Sequence, residues 1–302
     1  MKVGQSESRS IRELCLLLGY SRQAYYQYQR QSEKEALKYD LLIQEVLEIR
    51  KLQKRIGTRK LFHMTTDFRK LHGIVIGRDA FFDLLSVHGL LIRKRRRKKP
   101  LTTYSNHWLR KHPNLIVGLI PLVPNRLWAS DITYIDLDGG HAYLSLITDA
   151  YSRKIVGFYL SAELTAEGSI EALKMAFKNN PERIKLIHHS DRGVQYCSSK
   201  YVALLNKNTV GISMTQSGNP RENPMAERVN GILKEELLEA SYSSYRQAKE
   251  AVTKAVSIYN HNRPHGSIDM LTPAEAHQGE GELKKRWKNY YAINKRKEVV
   301  MG

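Results

Sequence analysis

The chain has 302 residues, a formal net charge of +19 and 41% hydrophobic residues. This length is more typical of two domains than of one, and the hydrophobic content suffices for real cores. The charge is uneven: residues 1–120 carry a net +15, whereas residues 121–302 carry +4. This asymmetry favours a nucleic-acid-binding half joined to a catalytic half over a uniformly basic, solvated protein.

Cysteine content and hydropathy exclude several classes of protein. The two cysteines, Cys15 and Cys197, lie far apart in sequence, which argues against a disulfide framework and a cysteine-based zinc site. A membrane-spanning helix needs about 18 consecutive apolar residues, and the sequence has no such run. The polar N-terminus lacks a secretory signal, so we expect a cytoplasmic, nucleoid-associated protein without membrane contact.

Residues 10–29 show the pattern of two short helices joined by a turn at residues 19–21. The first helix has apolar residues at the spacing of one helical face: Ile11, Leu14, Cys15 and Leu18. A helix, a glycine-containing turn and a second helix outline a helix-turn-helix, with Arg22 and Gln23 as candidates for DNA contact. Plain helical packing explains this outline equally well.

Helical patterns continue over residues 40–53, 59–71 and 78–87 and suggest a second helix-turn-helix, in which Arg59 and Lys60 are candidate DNA contacts. An uninterrupted basic tract follows: Arg93, Lys94, Arg95, Arg96, Arg97, Lys98 and Lys99. Seven adjacent cations repel one another unless they face phosphates, so the tract predicts salt-sensitive DNA binding. The alternative is a disordered linker or a targeting tract.

Residues 100–126 contain four prolines and are predicted to be a linker. Strand patterns follow, and then helices alternate with strands. The predicted strands cover residues 127–137, 141–148, 154–160, 184–190 and 212–215, and the predicted helices cover residues 165–178, 199–206 and 225–238. This order predicts an α/β fold, a mixed five-stranded sheet with flanking helices, preceded by an all-α region. The expected domains are residues 1–99, 100–126, 127–277 and 278–302.

Three acidic residues stand at positions where a metal site would form. Asp131 lies inside the first predicted strand, where an uncompensated carboxylate is costly to bury, and Asp191 follows a later strand. Glu227 opens a helix, with Glu222 as its rival. Mg²⁺ is commonly held by one or two carboxylates together with phosphate and water oxygens. Two such metal ions side by side can stabilise both the attacking and the leaving oxygen of a phosphoryl displacement. Taken singly, such acids are more often caps or turn residues.

The predicted helix around Glu227 has one polar face. Asn223, Glu227, Asn230 and Lys234 are spaced at i, i+4, i+7 and i+11, opposite an apolar stripe. This face is predicted to meet the metal at one end and the DNA backbone further along, through Asn230 and Lys234. An ordinary solvated face is the alternative.

Three blocks carry a family resemblance. Residues 124–135, 189–196 and 218–227 resemble the catalytic blocks of bacterial insertion-sequence transposases, which have a retroviral-integrase-like, ribonuclease-H-like core and a DDE acid triad. Residues 259–265 and 271–275 resemble the C-terminal signature of the frameshifting group, whose catalytic region lies in a second reading frame. The resemblance covers most of residues 10–276.

The resemblance implies a set of roles. Asp131, Asp191 and Glu227 match the catalytic acids, which implies two Mg²⁺ ions, with Mn²⁺ as a substitute. It further implies cleavage at the ends of an insertion sequence, attack of the freed 3′-hydroxyl on another phosphodiester, and a homo-oligomer on terminal inverted repeats and target DNA. Full-length relatives resemble a fusion with an upstream-frame protein, and this chain shows no sustained heptads.

Further residues are assigned supporting roles. His189, Gln195 and Asn223 are predicted to orient the acids or the DNA, and Arg263 is predicted to contact DNA or to close the C-terminal helix onto the core. The family pattern differs here in Glu222-Asn223-Pro224, Val194 and Arg228. Two other functions stay open, a nuclease for RNA–DNA hybrids on the same fold and a non-enzymatic DNA-binding regulator derived from a transposase.

Overall fold

The computed structural model describes residues 10–93, 107–181, 185–216 and 223–284. The chain divides into two compact units: residues up to 51 with 57–92 form the first, and residues 52–56 with those from 93 onward form the second. Within the described ranges, no helix is long and apolar enough to cross a membrane. The four predicted domains stay predictions. The first unit ends at residue 92, close to the predicted end of the first domain at residue 99.

The first unit is all-helical. Its helices are α1 (Ile11–Leu17), α2 (Arg22–Leu52), α3 (Thr58–Met64), α4 (Thr66–Leu71) and α5 (Arg78–Val87). Ser10 begins α1 with a capping box, in which its hydroxyl and backbone exchange hydrogen bonds with Glu13. Among the described residues of this unit, five apolar side chains are completely buried: Leu42, Val46, Leu61, Phe81 and Leu85.

Two helix boundaries differ from the predictions. Residues 22–52 form one continuous helix instead of two, because no glycine or proline interrupts them. The single helix predicted over residues 59–71 is divided at Thr65. The Thr65 hydroxyl donates to the carbonyl of Leu61, 2.9 Å away, and such bonds to a residue four back often bend a helix.

The second unit is built on the predicted mixed sheet of five strands, which is confirmed. The strands are β1 (Leu127–Leu137), β2 (Gly140–Asp149), β3 (Ile155–Ser161), β4 (Ile187–Ser190) and β5 (Gly211–Met214). Their order across the sheet is β3-β2-β1-β4-β5. The first three strands pair antiparallel, whereas β4 pairs parallel with β1 and β5 pairs parallel with β4.

Helices cover both faces of this sheet. The helices of this unit are α6 (Ala166–Asn179), α7 (Val194–Cys197), α8 (Ser199–Lys207), α9 (Pro224–Ile232), α10 (Tyr245–His261) and α11 (Pro273–Ala276). Side chains of α6, α7 and α8 share one core cluster with Trp128 and Ile147, and side chains of α9 and α10 share the other with Ile135 and Leu144. The candidate functional site lies where β1, β4 and α9 meet.

Two local features refine this arrangement. The helix predicted over residues 225–238 consists of α9 followed by a π-helical turn, Leu233–Leu237. Helix α6 lies directly on Gly157 of β3, where a Cβ atom would overlap the carbonyl oxygen of Ala172. Only glycine allows this close approach of helix and strand.

Candidate active site

Strand register brings Asp131 and Asp191 to the same level of the sheet. In the parallel pairing of β1 and β4, Ala129 stands opposite His189. Asp131 and Asp191 each follow two residues later, Asp131 within β1 and Asp191 directly after the end of β4. Because side chains alternate between the faces of a strand, residues two positions on leave the same face as this pair. The carboxylates of Asp131 in β1 and Asp191 after β4 are therefore neighbours.

The electrostatics of Asp131 agree with this proximity. Removal from water raises the pKa of Asp131 to about 7, and the negative charge of Asp191 adds to the effect, with a smaller contribution from Glu227. Two hydrogen bonds oppose the rise, one from the backbone N–H of Ile132 at 2.9 Å and one from the Asn230 side chain at 2.7 Å. A carboxylate in this position is stabilised in its charged form by a nearby cation.

Two buried asparagines attach α9 to β1 around Asp131. Asn223, at the N-cap of α9, donates to the carbonyl of Ser130 at 2.9 Å. Asn230 donates from its side-chain amide to the Oδ2 atom of Asp131 at 2.7 Å. Glu227 lies between them in the chain, so the two hydrogen bonds fix the part of the helix that carries Glu227.

This placement corrects the predicted DNA contact of Asn230. The sequence placed Asn230 on the outward polar face of the helix, but its side chain is buried against β1 together with Ala226 and Val229. The amide is engaged by Asp131 and is not presented on the surface. Asn230 therefore orients a carboxylate of the site.

Glu227 lies in the first turn of α9 and is exposed. Partial desolvation raises the pKa of Glu227. Within the described ranges, no group of three or more His, Cys, Asp or Glu side chains is arranged to hold a metal ion. The predicted sphere of three carboxylates thus stays a prediction, and the rival Glu222 lies outside the described residues.

A buried polar network that the sequence did not single out lies beneath the acids. The Nε2 atom of His188 is 2.6 Å from the Ser130 hydroxyl and 2.9 Å from the Tyr201 hydroxyl. Burial, followed by the neighbouring His189, lowers the pKa of His188 to about 3, so the imidazole is neutral. His188 therefore joins β1, β4 and α8. Its only signal in the sequence is strand alternation, which sends Ser130 and His188 to the face opposite the acids.

His189 and Gln195 lie on either side of Asp191 in the chain, and their predicted roles in orienting the acids or the DNA stay predictions. The Nδ1 atom of His189 is 2.9 Å from the Ser213 hydroxyl of β5, and the backbone N–H of Leu115 donates to the same hydroxyl. His189 therefore connects β4 to β5 just before Asp191. Gln195 makes only a long contact of 3.4 Å with the Leu164 carbonyl and is partly exposed, so its predicted role stays a prediction.

Arg263, predicted to contact DNA or to close the C-terminal helix onto the core, is buried in the structure. Its side chain is 1% exposed, and its Nε and Nη2 atoms donate to the two carboxylate oxygens of Glu236 at 2.9 and 2.8 Å. A third nitrogen lies 2.9 Å from Nε2 of His265. This bidentate pair ties the segment after α10 to the π-helical turn after α9. The structure thus corrects the predicted DNA contact, because the buried guanidinium offers no surface to a phosphate.

The other predicted DNA contacts stay predictions. Arg22 and Gln23 are exposed at the start of α2, Arg59 is exposed in α3, and Lys60 and Lys234 are half-buried. Arg93 precedes a gap in the described residues. Six predicted contacts lie outside the described residues: Lys94, Arg95, Arg96, Arg97, Lys98 and Lys99.

Comparisons with known proteins agree with this architecture. Two models of the integrase core domain match residues 122–220 and 208–273. A 31 kDa protein of insertion element IS600 from Shigella sonnei is 32% identical over 272 residues, which cover 86% of this chain and 96% of the relative. The transposase InsF of IS3A from Escherichia coli K12 is 28% identical over 88% of this chain and 93% of its own length.

A solved structure is similar to part of this chain. The catalytic core domain of HTLV-2 integrase, solved in complex with magnesium, covers 52% of this chain and 99% of its own length, with 18% identity and a TM-score of 0.42. This level of similarity concerns the fold alone.

The sheet order, its flanking helices and the matched core domain define an integrase-like, ribonuclease-H-like polynucleotidyl transferase. The chain belongs to the bacterial insertion-sequence transposases with a DDE integrase-like core. It is a DNA transposase, and neither the hybrid nuclease nor the non-enzymatic regulator is favoured.

Proposed function

We propose that this transposase cuts DNA at the ends of its insertion sequence and transfers the freed 3′-hydroxyl to a second phosphodiester, with Asp131, Asp191 and Glu227 as its catalytic acids. The observation that carries the proposal is the proximity of Asp131 in β1 to Asp191 directly after β4, where the charge of Asp191 helps to raise the pKa of Asp131. Two neighbouring carboxylates favour a bound cation, because the negative charge of each destabilises the charged form of the other unless a cation neutralises them.

The donor set fits a hard divalent cation, since all of its ligands are carboxylate oxygens. Asp131 and Asp191 would hold Mg²⁺, with Glu227 completing the site and with Mn²⁺ as a substitute; two ions are the proposed number. When bound, the metal supplies charge neutralisation at the reacting phosphate and lowers the pKa of water. The chain itself positions the acids: Asn230 holds one oxygen of Asp131, and the N–H of Gly193 holds Oδ1 of Asp191 at 3.0 Å.

The proposed partners are double-stranded DNA, as terminal inverted repeats and as target, and further copies of this chain. The proposal is supported by the net +15 of residues 1–120 and by the exposure of Arg22 and Arg59. An upstream-frame protein, separate or fused, is the proposed source of additional end recognition.

The test uses a duplex made from the DNA that flanks this reading frame. Asp131→Asn, Asp191→Asn and Glu227→Gln are each expected to lower Mg²⁺-dependent cleavage and strand transfer more than about 100-fold. Removing a group that only orients a metal ligand already lowers metal affinity or activity about 10- to 100-fold. Asp138→Asn, in the exposed turn between β1 and β2, is the matched control and should keep full activity.

Three outcomes would contradict the proposal. Undiminished cleavage by an acid variant would remove that residue from the site. Faster cleavage of an RNA–DNA hybrid than of the element-end duplex would favour the nuclease. Tight, metal-independent binding of the duplex without any cleavage would favour the regulator.

A further inference from the structure

Trp108 is the most exposed large aromatic side chain of the described residues, with 92% of its surface accessible. It is nevertheless held in place from both sides. The Nε2 atom of His107 is 2.7 Å from the carbonyl oxygen of Arg192, and Leu109 packs against the core formed with α6, α7 and α8. The indole therefore stands outward from an anchored segment of backbone.

This segment is attached directly beside the proposed catalytic site. Arg192, whose carbonyl contacts His107, immediately follows Asp191. The turn at Asp191 is itself fixed, because the Gly193 N–H donates to the Asp191 carboxylate. Further along, Pro113 accepts a hydrogen bond from the N–H of Met214 in β5. The polypeptide that carries Trp108 thus runs from the end of β4 along the edge of the sheet.

The surroundings of Trp108 are basic. Residues 107–126 contain three arginine or lysine residues and no acidic residue. Two of the three, Arg110 and Lys111, are exposed just after Trp108. Burial, followed by the charge of Asp191, raises the pKa of the Cys197 thiol, and the charges of Lys111 and Arg192 oppose this rise, so both cations lie near Cys197. An exposed aromatic ring between cations is the combination that binds single-stranded nucleic acid.

We propose that Trp108 stacks on an unpaired base of the DNA strand that Asp191 helps to cut, while Arg110 and Lys111 neutralise the adjacent phosphates. The inference rests on the proposed function, since it places the base next to the cleaved phosphodiester. Bases inside a duplex are already stacked on their neighbours, so the ring selects the frayed or single-stranded nucleotides at the DNA end. Stacking on an aromatic ring tolerates any base, which suits a position that holds DNA without specifying its sequence.

The experiment measures binding of the full-length chain in EDTA to two labelled DNA duplexes. Both carry a short single-stranded 3′ extension, with normal nucleotides in one and abasic nucleotides in the other, so that their backbone charge is the same. Trp108→Ala is expected to weaken binding of the base-bearing duplex roughly 5- to 150-fold and to leave binding of the abasic duplex within about twofold of wild type. Trp108→Phe should retain most of the affinity.

Val117→Ala is the matched control, since Val117 is 79% exposed on the same segment. Intrinsic fluorescence gives a second readout: the emission that Trp108→Phe removes should be quenched by the base-bearing duplex only. Equal losses on both duplexes, or no loss with Trp108→Ala, would overturn the proposal. A shift of oligomeric state in Trp108→Ala without DNA would overturn it in favour of a protein partner.

The two proposals fail in different ways. Binding in EDTA requires no chemistry, so base-dependent binding without cleavage by the wild-type chain would refute the proposed function and leave the stacking role intact. Full cleavage activity together with base-independent binding would refute the stacking role alone.

Discussion

At the scale of single residues, the site depends on how one carboxylate is held. Asp131 is partly removed from water and faces the charge of Asp191, and both effects favour its protonated form. The hydrogen bond from Asn230 opposes them and fixes one oxygen. An amide is suited to this position because it donates to the carboxylate without neutralising the charge that a metal needs.

Replacing Asn230 therefore tests orientation separately from DNA binding. Asn230→Ala is expected to lower Mg²⁺-dependent cleavage about 10- to 100-fold, the range found when partners of metal ligands are removed, with DNA affinity unchanged. The measurement is single-turnover cleavage together with equilibrium DNA binding. Asn208→Ala is the control, because the Asn208 amide donates locally, to the Leu204 carbonyl near the end of α8.

The opposite result would restore the outward role predicted from the sequence. If Asn230→Ala weakened DNA binding and bound DNA were still cut at the wild-type rate, the amide would act on DNA and its contact with Asp131 would be incidental.

At the scale of elements, local sequence patterns predicted the sheet better than the helices. Strand β1 was predicted over its full extent, because an apolar alternating run fixes both its type and its register. The continuity of α2 was missed, although no helix breaker lies within it. Spacing grouped Asn223, Glu227, Asn230 and Lys234 on one helix face. Asn230 contacts Asp131, 99 residues away in β1, and local periodicity does not reveal such a distant partner.

The buried His188, which contacts Ser130 of β1 and Tyr201 of α8, makes the stability of the fold depend on pH. The pKa of His188 is about 3 in the folded protein, whereas an unfolded chain has the ordinary value of 6.5. The unfolded state takes up this proton first, so the stability contributed by neutral His188 is complete above pH 6.5 and is lost as pH falls toward 3. Between pH 6 and 5, we expect wild type to lose about 1 kcal/mol more than His188→Gln.

Urea unfolding at the two pH values measures this difference, because all other titrating groups are common to both proteins. His261→Gln is the control, since His261 is exposed at the end of α10 and should behave like wild type. An equal loss of stability in wild type and His188→Gln would show that His188 does not stay neutral on folding.

The contact of α6 with β3 leaves no room for a side chain at position 157. A Cβ atom on Gly157 would overlap the Ala172 carbonyl oxygen and stand 2.8 Å from Cβ of Ala176, so the helix would have to move. Gly157→Ala is expected to destabilise the protein by roughly 1–3 kcal/mol, in the range of an overpacked core. The measurement is a thermal or urea unfolding curve.

Gly231 in α9 offers the matched substitution. A Cβ atom added to Gly231 would meet no atom within 4 Å, and alanine is the better helix former by about 1 kcal/mol, so Gly231→Ala should be neutral or stabilising. Similar destabilisation by both substitutions would mean that backbone freedom, and not the approach of α6, requires glycine at position 157.

At the scale of the whole molecule, the excess positive charge and the proposed catalytic acids lie in different halves of the chain. The acids lie in the half of the chain with a net +4, whereas the half with a net +15 carries the basic tract that begins at Arg93. Neutralising one phosphate contact changes the slope of log affinity against log salt by about 0.9. We therefore predict that the tract is the main source of the salt dependence of DNA binding.

Changing Arg95, Arg96 and Arg97 together to Gln should reduce that slope by about 2 to 3, because three phosphate contacts are lost. Lys174, Lys200 and Lys207, which line one groove beside α6 and α8, give a control with the same change of charge. Binding titrations of one duplex over a range of salt concentrations separate the two cases. If both triple variants lowered the slope equally, DNA would respond to the net charge of the protein and not to the tract, and the division of labour between the two halves would be refuted.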